Sequence, residues 1–175
     1  SVDGTLEELV DIANQNPRVR LIERIGRLGL SSACIEGFLS TSAEFLAVMD
    51  ADHQHDEHLL PLLLDKIQSE PDLDIVIGSR FLKGDEYASS SRSRLTLSQL
   101  GKFFSRLILP TNISDPMSGF FVTKREFAWS LAPKLSGRGF KLLLDILLTA
   151  GRSVRFAELT YKFRERQKGE SKLTA

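Results

Sequence analysis

Asp50, Asp52 and Gln54, spaced two residues apart, are the side chains of this sequence best suited to chemistry. They follow Phe45–Val48, a run that is apolar at every position and typical of a strand buried on both faces of a parallel sheet. Because side chains alternate along a strand, we expect all three to project the same way at its carboxyl end, where open α/β sheets bind ligands. Their oxygens suit Mg²⁺ or Mn²⁺. The alternative is a polar turn that ends a strand, because Asp-x-Asp alone is a weak signal.

The only histidines, His53, His55 and His58, lie beside these residues and raise the question of zinc. If His53 and His55 continue an extended strand, they point away from the face that carries Asp50. No cysteine is near in the sequence, so a structural zinc site is not expected.

Composition restricts the function classes. The 175 residues form a single domain spanning residues 1–175, and 23 basic residues balance 23 acidic ones. Bulk attraction to nucleic acid is therefore not expected, and any phosphate must be bound by locally placed Arg or Lys. Cys34 is the single cysteine, which excludes an internal disulfide and favours a reducing compartment. The sequence has no signal peptide and no apolar run long enough to span a bilayer.

Apolar runs and amphipathic segments alternate along the chain and predict an α/β sheet. Thr5 and Glu8 have capping-box spacing at the start of the first helix. A doubly wound sheet begins with a strand, so we expect a strand upstream of Ser1 to be missing. The predicted strands are 19–22, 45–48, 74–78, 119–122 and one or two within 154–163, with a bulge near residues 157–158; the predicted helices after the first are 29–41, 59–69, 95–109 and 140–149.

A serine-rich polar loop, residues 83–94, interrupts this alternation, and a basic tail, residues 164–172, ends it. A long loop inside a compact domain is often functional, and a solvated linker is the alternative. An amphipathic helix, residues 95–109, follows the loop. Its apolar side either packs against the core or faces a membrane.

Six segments together resemble glycosyltransferase family 2, and within it the polyprenol-phosphate (dolichyl-phosphate) mannose synthases. They occur in the order of that family and cover nearly the whole chain, and the last is characteristic of the polyprenol-phosphate branch. They are residues 1–5 (Ser-Val-Asp-Gly-Thr), 29–33 (Gly-Leu-Ser-Ser-Ala), 49–55 (Met-Asp-Ala-Asp-His-Gln-His), 77–80 (Ile-Gly-Ser-Arg), 115–120 (Asp-Pro-Met-Ser-Gly-Phe) and 169–173 (Gly-Glu-Ser-Lys-Leu).

The resemblance implies a GT-A, Rossmann-like fold: a mostly parallel twisted sheet flanked by helices, here without its first strand. It implies inverting transfer of a sugar, mannose from GDP-mannose, to the phosphate of a membrane polyprenol or dolichol. The partners would be a nucleotide sugar, a polyprenyl phosphate and a membrane surface, with no nucleic acid. The protein would lie on the cytoplasmic side of a membrane, peripheral or anchored by segments absent from this chain.

The resemblance also assigns site residues. Asp50, Asp52 and Gln54 would hold the metal, Mg²⁺ or Mn²⁺, with Asp50 and Asp52 also on the donor diphosphate. Asp3 lies in the loop that follows the nucleotide-binding aspartates of the family. The acceptor phosphate would be contacted by Arg80, Arg94, Ser98 and Arg166.

The residue types agree with this chemistry. A phosphate monoester has a second pKa near ~6, so it attacks without a general base but needs cations against the repulsion between two anions. Arg80 follows a predicted strand, and Arg94 and Ser98 share a face at a helix start. Each arginine alone could be a solvated surface charge. Asp115 could orient the donor sugar, act as a base, or simply form a hydrogen bond with the backbone of its own turn. The catalytic candidates are therefore Asp115 together with Asp52 and Arg80.

Two other functions fit the same residues. One is a family 2 transferase with another donor, such as UDP-glucose, or with a sugar hydroxyl as acceptor, which would require a carboxylate base. The other is a non-catalytic module that binds a nucleotide or a phosphate. Gly119 is expected to allow a close approach of its backbone to another group.

Overall fold

The computed structural model describes residues 4–26, 29–81, 113–162 and 164. Within them lie five α-helices and four strands, with helices between the first and second strands and between the third and fourth. The elements are α1 (Thr5–Gln15), α2 (Leu30–Leu39), β1 (Phe45–Val48), α3 (Leu59–Ser69), β2 (Ile75–Ser79), β3 (Phe121–Lys124), α4 (Arg125–Leu131), α5 (Leu142–Ala150) and β4 (Phe156–Thr160), with single 3₁₀ turns at Ala132–Lys134 and Gly151–Ser153. The predicted loop 83–94 and helix 95–109 lie outside the described residues.

The four strands form one mixed sheet in the order β1-β3-β2-β4. β3 pairs antiparallel with both β1 and β2, whereas β2 pairs parallel with β4. Three strands, β1, β2 and β4, therefore run in one direction and β3 runs against them. The predicted α/β fold with a sheet flanked by helices is confirmed, but the described sheet is mixed rather than mostly parallel, because β3 makes two of the three strand pairings antiparallel.

Helices cover both faces of the sheet, and the strand β2 is buried on both of them. In β2, Ile75 and Ile77 join the cluster that packs on α2, α4 and α5, whereas Val76 joins the cluster under α3. All three side chains are fully buried. Because these side chains alternate between two apolar layers, neither face of this part of β2 carries polar groups. Polar side chains are therefore expected where the strands end.

Three local expectations are wrong. The predicted strand 19–22 has no strand pairing among the described residues, because a short apolar run forms a strand only where a neighbour completes its ladder. The first helix starts at Thr5 with Gly4 as its N-cap and no capping side chain, so the Thr5–Glu8 capping box does not form. β4 has no bulge, because its pairing with β2 is continuous from Phe156 to Thr160.

Candidate functional site

The candidate site lies at one edge of the sheet, where three strands end and one begins. Val48 at the end of β1 is paired with Phe121 at the start of β3, and Phe121 is also paired with Ile77 of β2. Ser79 at the end of β2 is paired with Thr160 at the end of β4. The segments that follow β1, β2 and β4 and the segment that precedes β3 therefore meet at this edge. They contain Asp50, Asp52, Gln54, Arg80 and Asp115.

Asp50 lies directly against the backbone of Gly119. A Cβ atom placed on Gly119 would be 2.5 Å from Oδ2 of Asp50 and 3.0 Å from its Cγ, closer than real atoms approach. The side chain of Asp50 is 42% exposed, so its carboxylate still reaches the solvent. The expectation that Gly119 allows a close approach is confirmed, and the group that approaches is a candidate metal ligand.

The chain turns after β1 instead of continuing as a strand. Residues 51–53 form a bend, and His53 has a φ of 62°. Asp52 accepts a hydrogen bond from the backbone N–H of Gln54 (3.1 Å), which closes a local turn. The side-chain amide of Gln54 donates to the carbonyl of Arg164 (3.3 Å). The expected strand-like alternation therefore stops at Val48, and turn geometry sets the directions of the later side chains.

This turn overturns the expected orientation of His55. Its ring is buried, and its Nε2 lies 3.5 Å from Oδ2 of Asp50, so it points toward Asp50 rather than away from it. Its Nδ1 is hydrogen-bonded to the hydroxyl of Tyr161. The ring packs against Phe120 and Tyr161, with centroid distances of 5.3 and 5.8 Å. The alternation argument failed because it assumed extended backbone where the chain bends.

Arg80 and Asp115 form a buried, two-point ion pair. Nε and Nη2 of Arg80 donate to Oδ2 and Oδ1 of Asp115 at 2.7 and 2.8 Å, and the backbone N–H of Arg80 also donates to Oδ2 (3.2 Å). Asp115 is 1% exposed, whereas the side chain of Arg80 is 25% exposed. The carboxylate therefore fixes the guanidinium at the end of β2, with part of the arginine at the surface.

Glu158 of β4 holds the segment that carries Asp115. Its carboxylate accepts hydrogen bonds from the backbone N–H of Ser114 (3.0 Å), the hydroxyl of Ser114 (2.7 Å) and the backbone N–H of Asp115 (3.2 Å). The Ser114 hydroxyl is also 2.9 Å from that of Ser79. Sequence reasoning noted Glu158 only as part of the predicted bulge and missed its role, although an acidic residue within a predicted strand was a usable signal. Tyr161 was missed too, and nothing local in the sequence pointed to it.

A second group of candidate metal ligands lies in the loop before α3. Asp56, Glu57 and His58 place a ligand atom each within 4.8 Å of one another, the one such group of three among the residues that the structure describes. Arg164 already pairs with Asp56 (2.7 Å) and Glu57 (2.7 Å). The pKa of Glu57 is lowered first by a hydrogen bond from its own backbone N–H and then by the hydrogen bond from Arg164. The cluster therefore anchors the chain that follows β4.

The other predicted site residues, Asp3, Arg94, Ser98 and Arg166, lie outside the described residues. In the described part, no helix is both long and apolar enough to cross a membrane.

Solved structures with the same architecture identify the class of fold. Glucosyl-3-phosphoglycerate synthase from Mycobacterium tuberculosis, in complex with Mg²⁺ and UDP, matches 97% of this chain and 58% of its own with a TM-score of 0.67 at 17% identity. The same enzyme with Mn²⁺ and UDP-glucose matches at a TM-score of 0.67 and 19% identity, over 97% of this chain and 58% of its own. The fold is GT-A.

The sequence then identifies the family. Residues 1–132 match the model of Glycosyl transferase family 2, and the chain belongs to that family. It is 37% identical over 175 residues to a dolichol-phosphate mannosyltransferase of Pyrococcus furiosus, covering 99% of this chain and 48% of that protein. It is 33% identical over 180 residues to a dolichol-phosphate mannosyltransferase of Saccharomyces cerevisiae, covering 99% and 66%. An undecaprenyl-phosphate mannosyltransferase of Micrococcus luteus is 30% identical over 179 residues, with 99% and 72% covered.

The chain thus spans between about half and three quarters of the length of these curated relatives. The resemblance to family 2 and to its polyprenol-phosphate mannose synthases is confirmed.

Proposed function

We propose that the protein is an inverting glycosyltransferase that moves mannose from GDP-mannose to the phosphate of a membrane polyprenol. One observation carries the proposal: a solvent-reaching carboxylate, Asp50, and a guanidinium held by a buried carboxylate, Arg80, lie at the same sheet edge. Such a pair suits a reaction in which a diphosphate leaves and a phosphate attacks. The names of the relatives supply the sugar and the lipid acceptor.

The donor side is assigned to the loop after β1. Asp50, Asp52 and Gln54 would hold Mg²⁺ or Mn²⁺, and Asp3 would lie near the nucleotide. Carboxylate and amide oxygens are the ligands that these ions prefer, and the cradle that Gly119 leaves for Asp50 fits a carboxylate held in one position. A bound ion would offset the negative charge that develops on the departing nucleoside diphosphate.

The acceptor side is assigned to Arg80, together with Arg94, Ser98 and Arg166. Arginine binds phosphate oxygens with a planar fork, and an arginine fixed in advance loses little side-chain entropy when it does so. Because Asp115 contacts Arg80, we assign to Asp115 the role of orienting the guanidinium of Arg80. A phosphate nucleophile is already ionised near neutral pH, so the mechanism needs no base at Asp115.

An acceptor with a sugar hydroxyl would require a free carboxylate base near the acceptor. Asp115 is buried and committed to Arg80, which favours a phosphate acceptor over a hydroxyl. A lipid acceptor also implies that the protein works at a membrane surface, on its cytoplasmic side, peripheral or anchored by other segments of the protein.

The test is transfer of radiolabelled sugar from a panel of nucleotide sugars to detergent-dispersed polyprenyl phosphate, with the full-length protein and Mg²⁺. We expect GDP-mannose to be used, and Asp52→Asn to abolish transfer without changing the thermal unfolding midpoint. Asp65→Asn, a matched change at an exposed position on α3, should leave transfer intact. Near-normal turnover of Asp52→Asn with Mg²⁺ would contradict the metal assignment, and transfer from UDP-glucose alone would contradict the sugar.

A further inference from the structure

We propose that His55 and Tyr161 form a positioning pair that holds Asp50 in place for metal binding. The inference rests on the proposed metal site at Asp50. It means that two residues outside the ligand set, from different parts of the chain, increase the affinity for the metal by a measurable amount.

The first step of the argument is the fixed position of the imidazole. His55 is 5% exposed, and its ring packs against Phe120 and Tyr161, which themselves meet edge to face at 5.7 Å and 85°. The Tyr161 hydroxyl engages Nδ1. A ring held on its faces and at one nitrogen has little rotational freedom. Its other nitrogen, Nε2, is therefore held on the side of Asp50.

The second step is what each ring nitrogen faces. Nε2 lies 3.5 Å from Oδ2 of Asp50, and an ionised carboxylate accepts hydrogen bonds but cannot donate them. An imidazole nitrogen can donate or accept, so Nδ1 can meet the Tyr161 hydroxyl while Nε2 faces the carboxylate of Asp50.

The third step is that one oxygen of Asp50 meets both neighbours. The backbone of Gly119 leaves no room for even a Cβ atom beside Oδ2. Nε2 of His55 lies 3.5 Å from the same oxygen. These two contacts restrict Oδ2, while the rest of the side chain, 42% exposed, reaches the solvent. Losing a group that orients a metal ligand typically costs about 10- to 100-fold in metal affinity or activity.

Tyr161 extends this support to the far side of the sheet. It follows β4 directly, and its backbone N–H donates to the carbonyl of Ser79 at the end of β2 (3.2 Å). The position of the hydroxyl is therefore fixed by the sheet itself. Through it, β4 contributes to a site whose ligands all follow β1.

The test measures Mn²⁺ affinity by electron paramagnetic resonance in the presence of GDP, independently of sugar transfer. We expect His55→Leu to weaken Mn²⁺ binding about 10- to 100-fold. His55→Gln, whose side-chain amide can donate near the position of Nε2, should recover part of this loss. Tyr161→Phe removes one hydroxyl and keeps the ring packing, so we expect it to fold normally and to lose roughly 2- to 10-fold.

Thermal unfolding without metal identifies any variant that is merely destabilised, and Asp65→Asn, at an exposed position on α3, is the control that should bind Mn²⁺ like wild type. Wild-type Mn²⁺ affinity in Tyr161→Phe would overturn the inference, whatever His55→Leu does. If Asp52→Asn binds Mn²⁺ as well as wild type, the metal site itself is refuted and the inference with it. Weakened binding in Asp52→Asn beside unchanged binding in both His55→Leu and Tyr161→Phe refutes the positioning pair alone.

Discussion

Gly119→Ala provides the sharpest test of how the site is built. The new methyl group would lie 2.5 Å from Oδ2 of Asp50 and 3.0 Å from Cγ, whereas ordinary contact begins at 3.4 Å. The carboxylate oxygen must therefore move by about 0.9 Å, away from the position in which it lies 3.5 Å from Nε2 of His55. A misplacement of about 1 Å at a reacting centre lowers rates by roughly 100-fold, or about 2.7 kcal/mol in transition-state stabilisation.

The same substitution should have little effect on stability. Gly119 does not have a positive φ, so its backbone conformation is open to alanine. The atoms that must give way are at the end of a partly exposed side chain, which can rotate toward solvent. We expect the free energy of unfolding to fall by only about 1 kcal/mol. Loss of activity without loss of fold is therefore the signature of a displaced Asp50.

The assay is kcat/KM for transfer from GDP-mannose to polyprenyl phosphate, measured beside thermal unfolding. Gly37→Ala is the matched control, because a Cβ at this position in α2 meets nothing within 4 Å. It should leave transfer unchanged and stabilise the helix by about 0.5–1 kcal/mol. If Gly119→Ala keeps kcat/KM within about 3-fold of wild type, the close approach to Asp50 has no functional meaning and the reasoning fails.

Two further predictions concern the ion pair at Asp115 and the single cysteine. Asp115→Asn should lower the free energy of unfolding by about 2 kcal/mol, less than the ~3–5 kcal/mol of a fully buried pair, because Arg80 is partly exposed. It should also raise KM for polyprenyl phosphate more than KM for the donor. Equal rises in both KM values would contradict the assigned role of Asp115. Burial raises the pKa of the Cys34 thiol, and the negative charge of Asp50 raises it further. Iodoacetamide should therefore alkylate Cys34 more slowly at neutral pH than it alkylates free cysteine. Asp50→Asn should increase the alkylation rate, because a lower thiol pKa gives more thiolate. An unchanged alkylation rate would argue against the influence of Asp50.

The elements that the sequence predicted well are those with consecutive apolar residues, because such segments must hide their apolar surface. The strand at Ile75–Ser79 is fully buried, and α3 begins and ends at the predicted residues, Leu59 and Ser69. Phe45–Val48 forms the predicted strand but is not buried on both faces of a parallel sheet, because it pairs antiparallel with β3 and Ala47 is exposed. The run 19–22 has the same local character, but within the described residues no strand completes its ladder.

The candidate site divides in the same way. The types of residues at the strand ends, acids after β1 and an arginine after β2, could be listed from the sequence because strand ends are local features. The contact between Arg80 and Asp115 joins residues 35 positions apart, and the contact between His55 and Tyr161 joins residues 106 apart. These contacts depend on strand order and on the paths of loops, which no local pattern encodes.

By itself, the sequence determined an α/β protein with acidic side chains and an arginine at the ends of its strands, because side-chain chemistry and apolar periodicity are properties of neighbouring residues. Only the tertiary structure decided that β3 enters the sheet reversed, that the chain bends after Val48, and that Asp50 meets both Gly119 and His55. The physical reason is that such contacts form between distant segments, and their geometry exists only once the sheet has assembled.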